Sequence, residues 1–249
     1  MPARQRPEQP ATTPEAADQV SLWERLERPA PAPRSALTPG RIAEAAVRLA
    51  DAEGLDAVTM RRLAGELGVA PMAAYRYVTG KDELLELMVD AVHRELTVPA
   101  DVTGWRDTLR AHALDTRAMM LAHPWVPRAG VVMLTPHQMA AAERMLAALD
   151  GLGLDPDTMM AAFATVSAYV RGAVEAEIGV LRLMRERGWS SGQETREGLA
   201  PRMTWLMSTG RYPVYHRYTQ QAARKDEPAW RFETGLGYVL DGLAAHLDA

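Results

Sequence analysis

Residues 59–81, TMRRLAGELGVAPMAAYRYVTGK, concentrate the side chains best suited to bind a polyanion. They include four basic residues and one acidic residue, a local charge of +3, whereas the whole chain of 249 residues has a formal net charge of −4. Because the total is mildly acidic, nucleic-acid binding is possible only at a local patch. The stretch therefore predicts phosphate binding at one confined surface. The charged residues are Arg61, Arg62, Arg76 and Lys81, against Glu66.

The same stretch has the spacing of a helix-turn-helix. A first helix is predicted at 38–54, and a second at 59–68 with a threonine N-cap and a terminal glycine. A short third element, opened by a proline, follows at 71–77. The turn Leu-Gly-Val joins the second and third elements, as in helix-turn-helix motifs. A fourth helix is predicted at 81–96.

The block LTPGRIAEAAVRLADAEGLDAVTMRRLAGELGVAPMAAYRYV, followed by TGKDELLELMVDAV, resembles the DNA-binding domain of the tetracycline-repressor-like (TetR/AcrR) family of bacterial transcription regulators. The resemblance covers residues 37–92 and depends on the T-x-R cap, the L-G-V turn, the pair Tyr75 and Tyr77, and Lys81. It implies an all-α fold. The proline-rich composition of the N-terminus predicts a disordered or proline-rich extension at 1–34. The domains that follow are a three-helix DNA-binding domain with its connecting fourth helix at 35–97 and a larger helical bundle for ligand binding and dimerisation at 98–249.

The resemblance also implies a mechanism. A homodimer binds a pseudo-palindromic operator in double-stranded DNA, because two modules related by a twofold axis reach two half-sites. A small hydrophobic effector in the C-terminal domain then moves the fourth helix and releases the DNA, which makes the protein a ligand-responsive repressor. One alternative is a DNA-binding factor that needs no effector. An all-helical interaction protein and an all-helical enzyme are alternatives from other classes.

Twelve residues are predicted to contact DNA. Thr59 begins a helix whose free N–H groups suit a phosphate, although a capping role alone also explains this threonine. Either Arg61 or Arg76 contacts guanine, or Arg76 holds a phosphate and specificity depends on DNA shape. Tyr75 and Tyr77 are two positions apart on a helix, so at least one should face outward. The full set is Thr38, Thr59, Arg61, Arg62, Ala70, Pro71, Met72, Ala73, Tyr75, Arg76, Tyr77 and Lys81.

The region beyond residue 97 is predicted to be helical and rich in core residues. Ten of the 14 methionines and five of the six tryptophans lie at 98–249, so a second and larger core is expected there. A mobile loop is predicted at 188–198. The predicted helices span about 104–122, 136–151, 156–187, 199–208, 213–224 and 228–248.

The predicted helix at 156–187 has two different faces. Small residues fall on one narrow stripe, which permits close approach of another helix, and large apolar residues occupy the opposite face. We assign the stripe, together with the helix at 228–248, to contact with a second copy of the chain. The alternative is the central helix of a monomeric bundle. The predicted interface comprises Ala161, Thr165, Ala168, Gly172, Ala176, Gly179, Val239 and Leu243, and the opposite face comprises Met159, Phe163, Val166, Val170, Val174, Leu181 and Met184.

Glu177 interrupts that large apolar face. A carboxylate in apolar surroundings is costly unless it is paired. It is therefore either one half of a salt bridge, with Arg171, Arg182 or another arginine, or the polar anchor of an effector cavity. Of two nearby histidines, His123 is expected to bond a helix end and His137 to be exposed. The candidate cavity residues, each also explained by core packing, are Met119, Trp125, Met133, Met160, Phe163, Val166, Val170, Glu177 and Trp205.

Several function classes receive no support from the sequence. The chain has no cysteine, which excludes disulfides, thiolate metal sites and a cysteine nucleophile. The signature motifs of zinc proteases, serine hydrolases and nucleotide-binding loops are absent, so no catalytic residue, metal or cofactor is predicted. Apolar runs stay far below the roughly 20 residues that span a bilayer. We therefore expect a cytoplasmic protein with no membrane partner.

Overall fold

The computed structural model describes residues 20–28, 37–97, 102–130 and 134–247. All regular secondary structure in these ranges is helical, which confirms the predicted all-α fold. No helix in the described ranges has both the length and the hydropathy to cross a membrane. The chain divides into two compact units, Met1–Leu37 and Thr38–Ala249.

The first unit contributes one short described helix, α1 (Leu22–Glu27). It begins at a capping box, in which the Ser21 hydroxyl accepts the N–H of Glu24 and the Glu24 carboxylate accepts the N–H of Ser21 at 2.9 Å. The rest of the predicted N-terminal extension, residues 1–19 and 29–34, lies outside the described residues.

Residues 38–97, here called the head, form α2 (Pro39–Glu53), α3 (Met60–Leu67), α4 (Pro71–Ala74) and α5 (Lys81–His93). Thr38 caps α2, since its hydroxyl accepts the N–H of Arg41 at 3.2 Å. α2 packs against α5 and α3, and α3 packs against α4. The apolar residues that recur at helical spacing form a core within the head. Fully buried members of this core include Ile42, Ala46, Leu63, Val78, Leu84 and Met88.

Residues 102–247, here called the body, form the remaining helices. α8 is the central one and packs against α6, α7 and α11, while α7 also contacts α5 of the head. The body helices are α6 (Trp105–Ala122), α7 (Pro136–Leu149), α8 (Pro156–Arg187), α9 (Gly192–Ser208), α10 (Pro213–Gln221) and α11 (Pro228–Leu247).

The buried face of α8 differs in part from the predicted one. Buried positions follow steps of four residues, from Ala162 through Val166, Val170 and Val174 to Ile178. Because four residues exceed one turn of 3.6, this line drifts around the helix axis. Leu181, which was expected on the large apolar face, is consequently exposed.

The predicted mobile loop at 188–198 is wrong. α8 ends at Gly188, which adopts the left-handed conformation with φ 69°, and α9 already begins at Gly192. The Ser191 hydroxyl accepts the N–H of Glu194 at 3.1 Å, and the Glu194 carboxylate accepts the N–H of Ser190 at 2.6 Å. These caps stabilise a helix start that the glycines alone would disfavour.

Residues 192–221, here called the arm, contain α9 and α10. Every residue of these two helices is exposed or half-buried. Trp205 is 66% exposed and Val214 67%, and Tyr215 and Tyr218 are exposed as well. A single chain therefore leaves a large apolar surface uncovered along the arm.

Candidate nucleic-acid interface

Four of the predicted DNA-contacting residues meet at one open pocket of the head. The pocket has a volume of about 360 Å³. Its lining combines the start of α3, the turn after α4 and the start of α5, which the helix-turn-helix brings together. The polar lining residues are Thr59, Arg61, Tyr75 and Lys81, and the apolar ones are Val58, Met60 and Leu84.

The electrostatics of this pocket favour an anion. Thr59 is the N-cap of α3, and Lys81 is the first residue of α5, so two helix N-termini contribute to the same pocket. Each N-terminus carries partial positive charge and unsatisfied N–H groups. The Thr59 hydroxyl accepts the N–H of Arg62 at 3.2 Å, which fixes the start of α3. With the exposed cations of Arg61 and Lys81, the pocket suits a phosphate oxygen.

Tyr75 lies at the C-terminal end of α4, which is shorter than predicted, and lines the pocket. The helix ends at Ala74, which is buried, and residues 75–77 form a turn rather than a continuation of the helix. Tyr75 is 43% exposed and lines the pocket, while Tyr77 is half-buried. The outward-facing tyrosine that the sequence analysis expected is Tyr75.

The outer edge of the turn and of α4 is mostly apolar. Ala70, Pro71 and Met72 are exposed, with Met72 at 73%, and Ala73 is half-buried. Arg76 is exposed and supplies the long hydrogen-bond donor of this edge. Apolar groups suit the methyl of thymine, and arginine suits guanine. Base contacts by these residues stay a prediction.

Arg62 and Thr38 make contacts within the chain. The Arg62 guanidinium forms an ion pair with Glu53 of α2 at 2.5 Å, with both side chains about half exposed. Thr38 caps α2. Neither residue lines the pocket, so their contact with DNA also stays a prediction.

The candidate effector residues lie in different environments. Met119, Trp125, Val166 and Val170 are buried, and Phe163 and Glu177 are half-buried, whereas Met160 and Trp205 are exposed. Met133 lies outside the described residues. Met160 and Trp205 lie at the surface of the single chain, so their contact with an effector stays a prediction.

The salt-bridge interpretation of Glu177 is confirmed, with a partner that the sequence analysis did not name. Arg117 of α6 donates from Nε at 3.1 Å and from Nη2 at 2.9 Å to the carboxylate. The two side chains are only 17% and 15% exposed. The Arg117 guanidinium also lies 5.3 Å from the centroid of the Phe232 ring. Arg171 instead donates to the carbonyl of Pro127 at 3.1 Å.

The predicted dimer stripe is open in the single chain. Its six α8 members, Ala161, Thr165, Ala168, Gly172, Ala176 and Gly179, are all exposed. Val239 and Leu243 of α11 are half-buried.

Two carboxylates that the sequence did not reveal bond to the histidines of the body. His123 bonds a helix end, as expected, because its backbone N–H donates to the Met119 carbonyl at the end of α6 and its ring contacts Asp51 in the last turn of α2. His137 is half-buried against Asp90 of α5 rather than exposed. An acidic residue between Val89 and Val92 on a buried helix face was the available signal for Asp90. The expectation for His137 is therefore corrected.

Two family models match this chain. Residues 42–88 match the family described as bacterial regulatory proteins, tetR family. Residues 98–247 match the family described as tetracyclin repressor-like, C-terminal domain, so the match extends over most of the chain. The chain belongs to the TetR family of transcription regulators.

Two TetR-family relatives are similar over nearly the whole chain. The HTH-type transcriptional repressor DrrR1 of Streptomyces coeruleorubidus is 37% identical over 226 residues, which cover 89% of this chain and 83% of that protein. An HTH-type transcriptional regulator of Saccharopolyspora erythraea is 32% identical, with coverage of 90% and 92%. Among solved structures, ActR of Streptomyces coelicolor in complex with actinorhodin has a TM-score of 0.70 and 28% identity, with coverage of 85% and 97%.

Proposed function

We propose that this TetR-family protein is a transcription repressor that binds a pseudo-palindromic DNA operator as a homodimer and is released by a small hydrophobic effector. The observation that carries the proposal is the pocket of the head, where Thr59, Arg61, Tyr75 and Lys81 meet at two helix N-termini. The repressor activity named for DrrR1 supports the sign of regulation. Residues 35–97 then act as the DNA-binding domain and 98–249 as the ligand-binding and dimerisation domain.

The dimer is supported by two surfaces that the single chain leaves open. The small-residue stripe of α8 has no bulky side chain to keep a second helix away, and the arm exposes aromatic and aliphatic residues. A second copy that covers both surfaces would bury apolar area and place two heads on one DNA duplex. We therefore infer that the stripe and the arm belong to the dimer interface.

The effector is supported by hydrogen-bonding groups inside the body. Burial lowers the pKa of His112 to about 4, so its imidazole is neutral at pH 7, and it lies 3.2 Å from the Thr116 hydroxyl. The Arg117–Glu177 pair joins α6, the helix that carries His112, to α8. A few polar groups among apolar side chains are what orient a small ligand. ActR, which has the same fold, binds actinorhodin.

We further infer that the chain regulates transcription in the cytoplasm and has no catalytic activity of its own. The matched families and the named relatives are regulators. The side chains that distinguish this chain from a helical bundle without a binding site are concentrated at the pocket of the head.

The DNA-binding proposal is tested by fluorescence anisotropy with a labelled duplex from the upstream region of the protein's own gene. The double variant Arg61→Ala, Tyr75→Ala should lose at least about 10-fold in affinity, since contacts to phosphate supply much of the binding free energy. Arg110→Ala is the charge-matched control, because Arg110 forms an exposed ion pair with Glu233 in the body. Equal affinities of the double variant and the wild type would contradict the site.

The effector proposal is tested by thermal unfolding with actinorhodin as the probe. Binding to the native body should raise the melting temperature and lower the affinity for the duplex, because a ligand that favours the native state stabilises it. A raised melting temperature without any change in DNA affinity would contradict the link between the two sites.

A further inference from the structure

Asp51, in the last turn of α2, accepts two hydrogen bonds from the body. Trp125 Nε1 donates to Oδ1 at 2.8 Å, and His123 Nδ1 lies 2.9 and 3.0 Å from the two carboxylate oxygens. Trp125 is only 3% exposed. His123 Nε2 also lies 3.5 Å from Glu95, which follows α5. The end of α2 is therefore attached to the residues that follow α6.

Asp90, in the last turn of α5, makes a second attachment of the same kind. Oδ1 accepts the backbone N–H of His137 at 2.8 Å, and Oδ2 lies 2.7 Å from His137 Nδ1. Asp90 is a buried charged residue, 9% exposed. Since His137 lies in the first turn of α7, this carboxylate also lies where the dipole of α7 favours an anion.

The two attachments have the same arrangement of hydrogen-bond partners. α2 and α5 each present one aspartate to the body, and each aspartate is bonded by a histidine and by one further N–H donor of the body. Removing either the acceptor or the donor of such a contact leaves a polar group without its partner, which weakens the attachment of the head to the body. The contacts are directional, so they restrict the angle between the head and the body as well as their separation.

A third carboxylate at the same boundary provides a contrast. Asp56 pairs with Arg128 at 3.3 Å, but the Asp56 side chain is largely exposed. Exposed pairs contribute little free energy and restrict orientation weakly. The side chains of Asp51 and Asp90 are 29% and 12% exposed, against 82% for Asp56, so Asp56 is the control for an exposed pair at this boundary.

We propose that Asp51 and Asp90 are positioning residues that hold the head at the angle required by the spacing of the two operator half-sites, and that loss of these bonds frees the head to swing. The proposal rests on the proposed function, because it specifies how operator spacing is enforced by residues that touch neither DNA nor effector.

The first test measures the head directly and needs no DNA. Because the chain has no cysteine, Glu66→Cys in α3 and Ala147→Cys in α7 give two unique spin-label positions, both at exposed residues. Labelled protein diluted into unlabelled protein reports the distance within one chain. The distance distribution should broaden in Asp51→Ala and Trp125→Phe, and also in Asp90→Asn and His137→Ala, but not in Asp56→Ala.

Folding is checked separately in each variant by the thermal melting of the helical signal. Trp125→Phe keeps an aromatic ring in the core and removes only the N–H donor, so it remains informative if Asp90→Asn fails to fold. Equally narrow distributions in the wild type, Asp51→Ala and Trp125→Phe would overturn the proposal.

The second test uses operator duplexes whose half-sites are moved apart by one or two base pairs. Wild-type affinity should fall at least about 10-fold with the added spacing, because the heads must match their half-sites. The Asp51→Ala and Trp125→Phe variants should show a flatter dependence on spacing, which a uniform loss of folded protein would not produce. If the wild type binds no duplex, the proposed function fails while the label distances still decide the positioning role. If the wild type shows the steep dependence and the variants share it, the positioning role fails.

Discussion

The head and the arm differ in how much of their apolar surface one chain can bury. In the head, Ile42, Leu63 and Leu84 are fully buried, and the exposed large apolar residues, Met72 and Tyr75, are both predicted DNA contacts. In the arm, Trp205, Val214 and Tyr215 are exposed, and every residue is at least partly accessible. A single chain therefore buries the apolar core of the head, whereas the apolar surface of the arm is buried only by contact with another surface. Function therefore depends on a head whose core is formed within one chain and on an assembly that covers the exposed apolar surface of the body.

Disrupting the interface between copies should have the largest effect. Ala176→Arg places a long cation on the exposed small-residue stripe of α8. Two heads on one duplex raise each other's effective concentration, so the loss of the dimer should lower operator affinity by at least about 100-fold. Sedimentation velocity should show a monomer, and anisotropy should show the weakened binding.

Ala147→Arg is the matched control for that experiment, because Ala147 is an exposed alanine on α7, away from the stripe. A dimeric Ala176→Arg variant with wild-type affinity would contradict the assignment of the α8 stripe to the dimer interface. A monomer that keeps full affinity would show that one head suffices.

The shielded ion pair of the body should give the next largest effect. Glu177→Leu leaves Arg117 without its partner at low exposure, so the free energy of unfolding should fall by about 3 kcal/mol. The double variant Arg117→Met, Glu177→Leu should recover most of that loss, since it removes both charges. Chemical denaturation measures these differences.

The exposed pair Arg110 and Glu233, which also joins α6 to α11, provides the comparison. Its disruption should cost less than about 1 kcal/mol. Equal costs for the shielded and the exposed pair would contradict the assignment of Glu177 to a structural contact inside the body.

A pH-dependent loss of stability should follow from His112. Burial lowers the pKa of His112 from 6.5 to about 4 in the folded chain. Between these values the unfolded chain binds more protons than the folded one, so stability is complete above pH 6.5 and falls as the pH decreases towards 4. The loss from pH 7 to pH 5 should be about 2 kcal/mol, since one pKa unit corresponds to about 1.4 kcal/mol.

Removing the ionisable ring isolates this contribution. His112→Gln keeps a hydrogen-bonding group beside Thr116, which lies 3.2 Å from the histidine ring. Urea denaturation at pH 7 and pH 5 should show a smaller decrease for His112→Gln than for the wild type. The same decrease in both proteins would assign the pH dependence to other groups.

The smallest effect is expected at Arg62. Its guanidinium pairs with Glu53 outside the phosphate pocket, and exposed pairs of this kind contribute less than about 1 kcal/mol. Arg62→Ala should therefore reduce operator affinity less than Arg61→Ala does, in the same anisotropy measurement. A loss equal to that of Arg61→Ala would place Arg62 at the DNA as well.

The sequence predicted the head well because its determinants are local. The threonine caps, the left-handed Gly68 and the apolar spacing of α2 each act within a few residues, and they fix the helix-turn-helix directly. The early end of α4 at Ala74 was not predictable from the same signals, because the sequence of residues 75–77 fits a turn as well as a continuation of the short helix.

Contacts of the body were less accessible to sequence analysis because their partners are distant along the chain. Glu177 pairs with Arg117, 60 positions away, and Asp51 accepts from Trp125, 74 positions away. A single sequence identifies a carboxylate in apolar surroundings but not which helix supplies its partner. The exposed arm is a related case, since helical periodicity does not reveal whether the covering surface belongs to the same chain.

The salt dependence of operator binding is the most direct test of the central claim that the pocket at Thr59, Arg61, Tyr75 and Lys81 binds DNA phosphates in a dimer. For the duplex from the protein's own upstream region, the logarithm of the association constant should fall linearly with the logarithm of the salt concentration. Arg61→Ala should reduce that slope by about 2, because each of two heads loses about one phosphate contact. Binding that is insensitive to salt, or a slope unchanged by Arg61→Ala, would contradict the account.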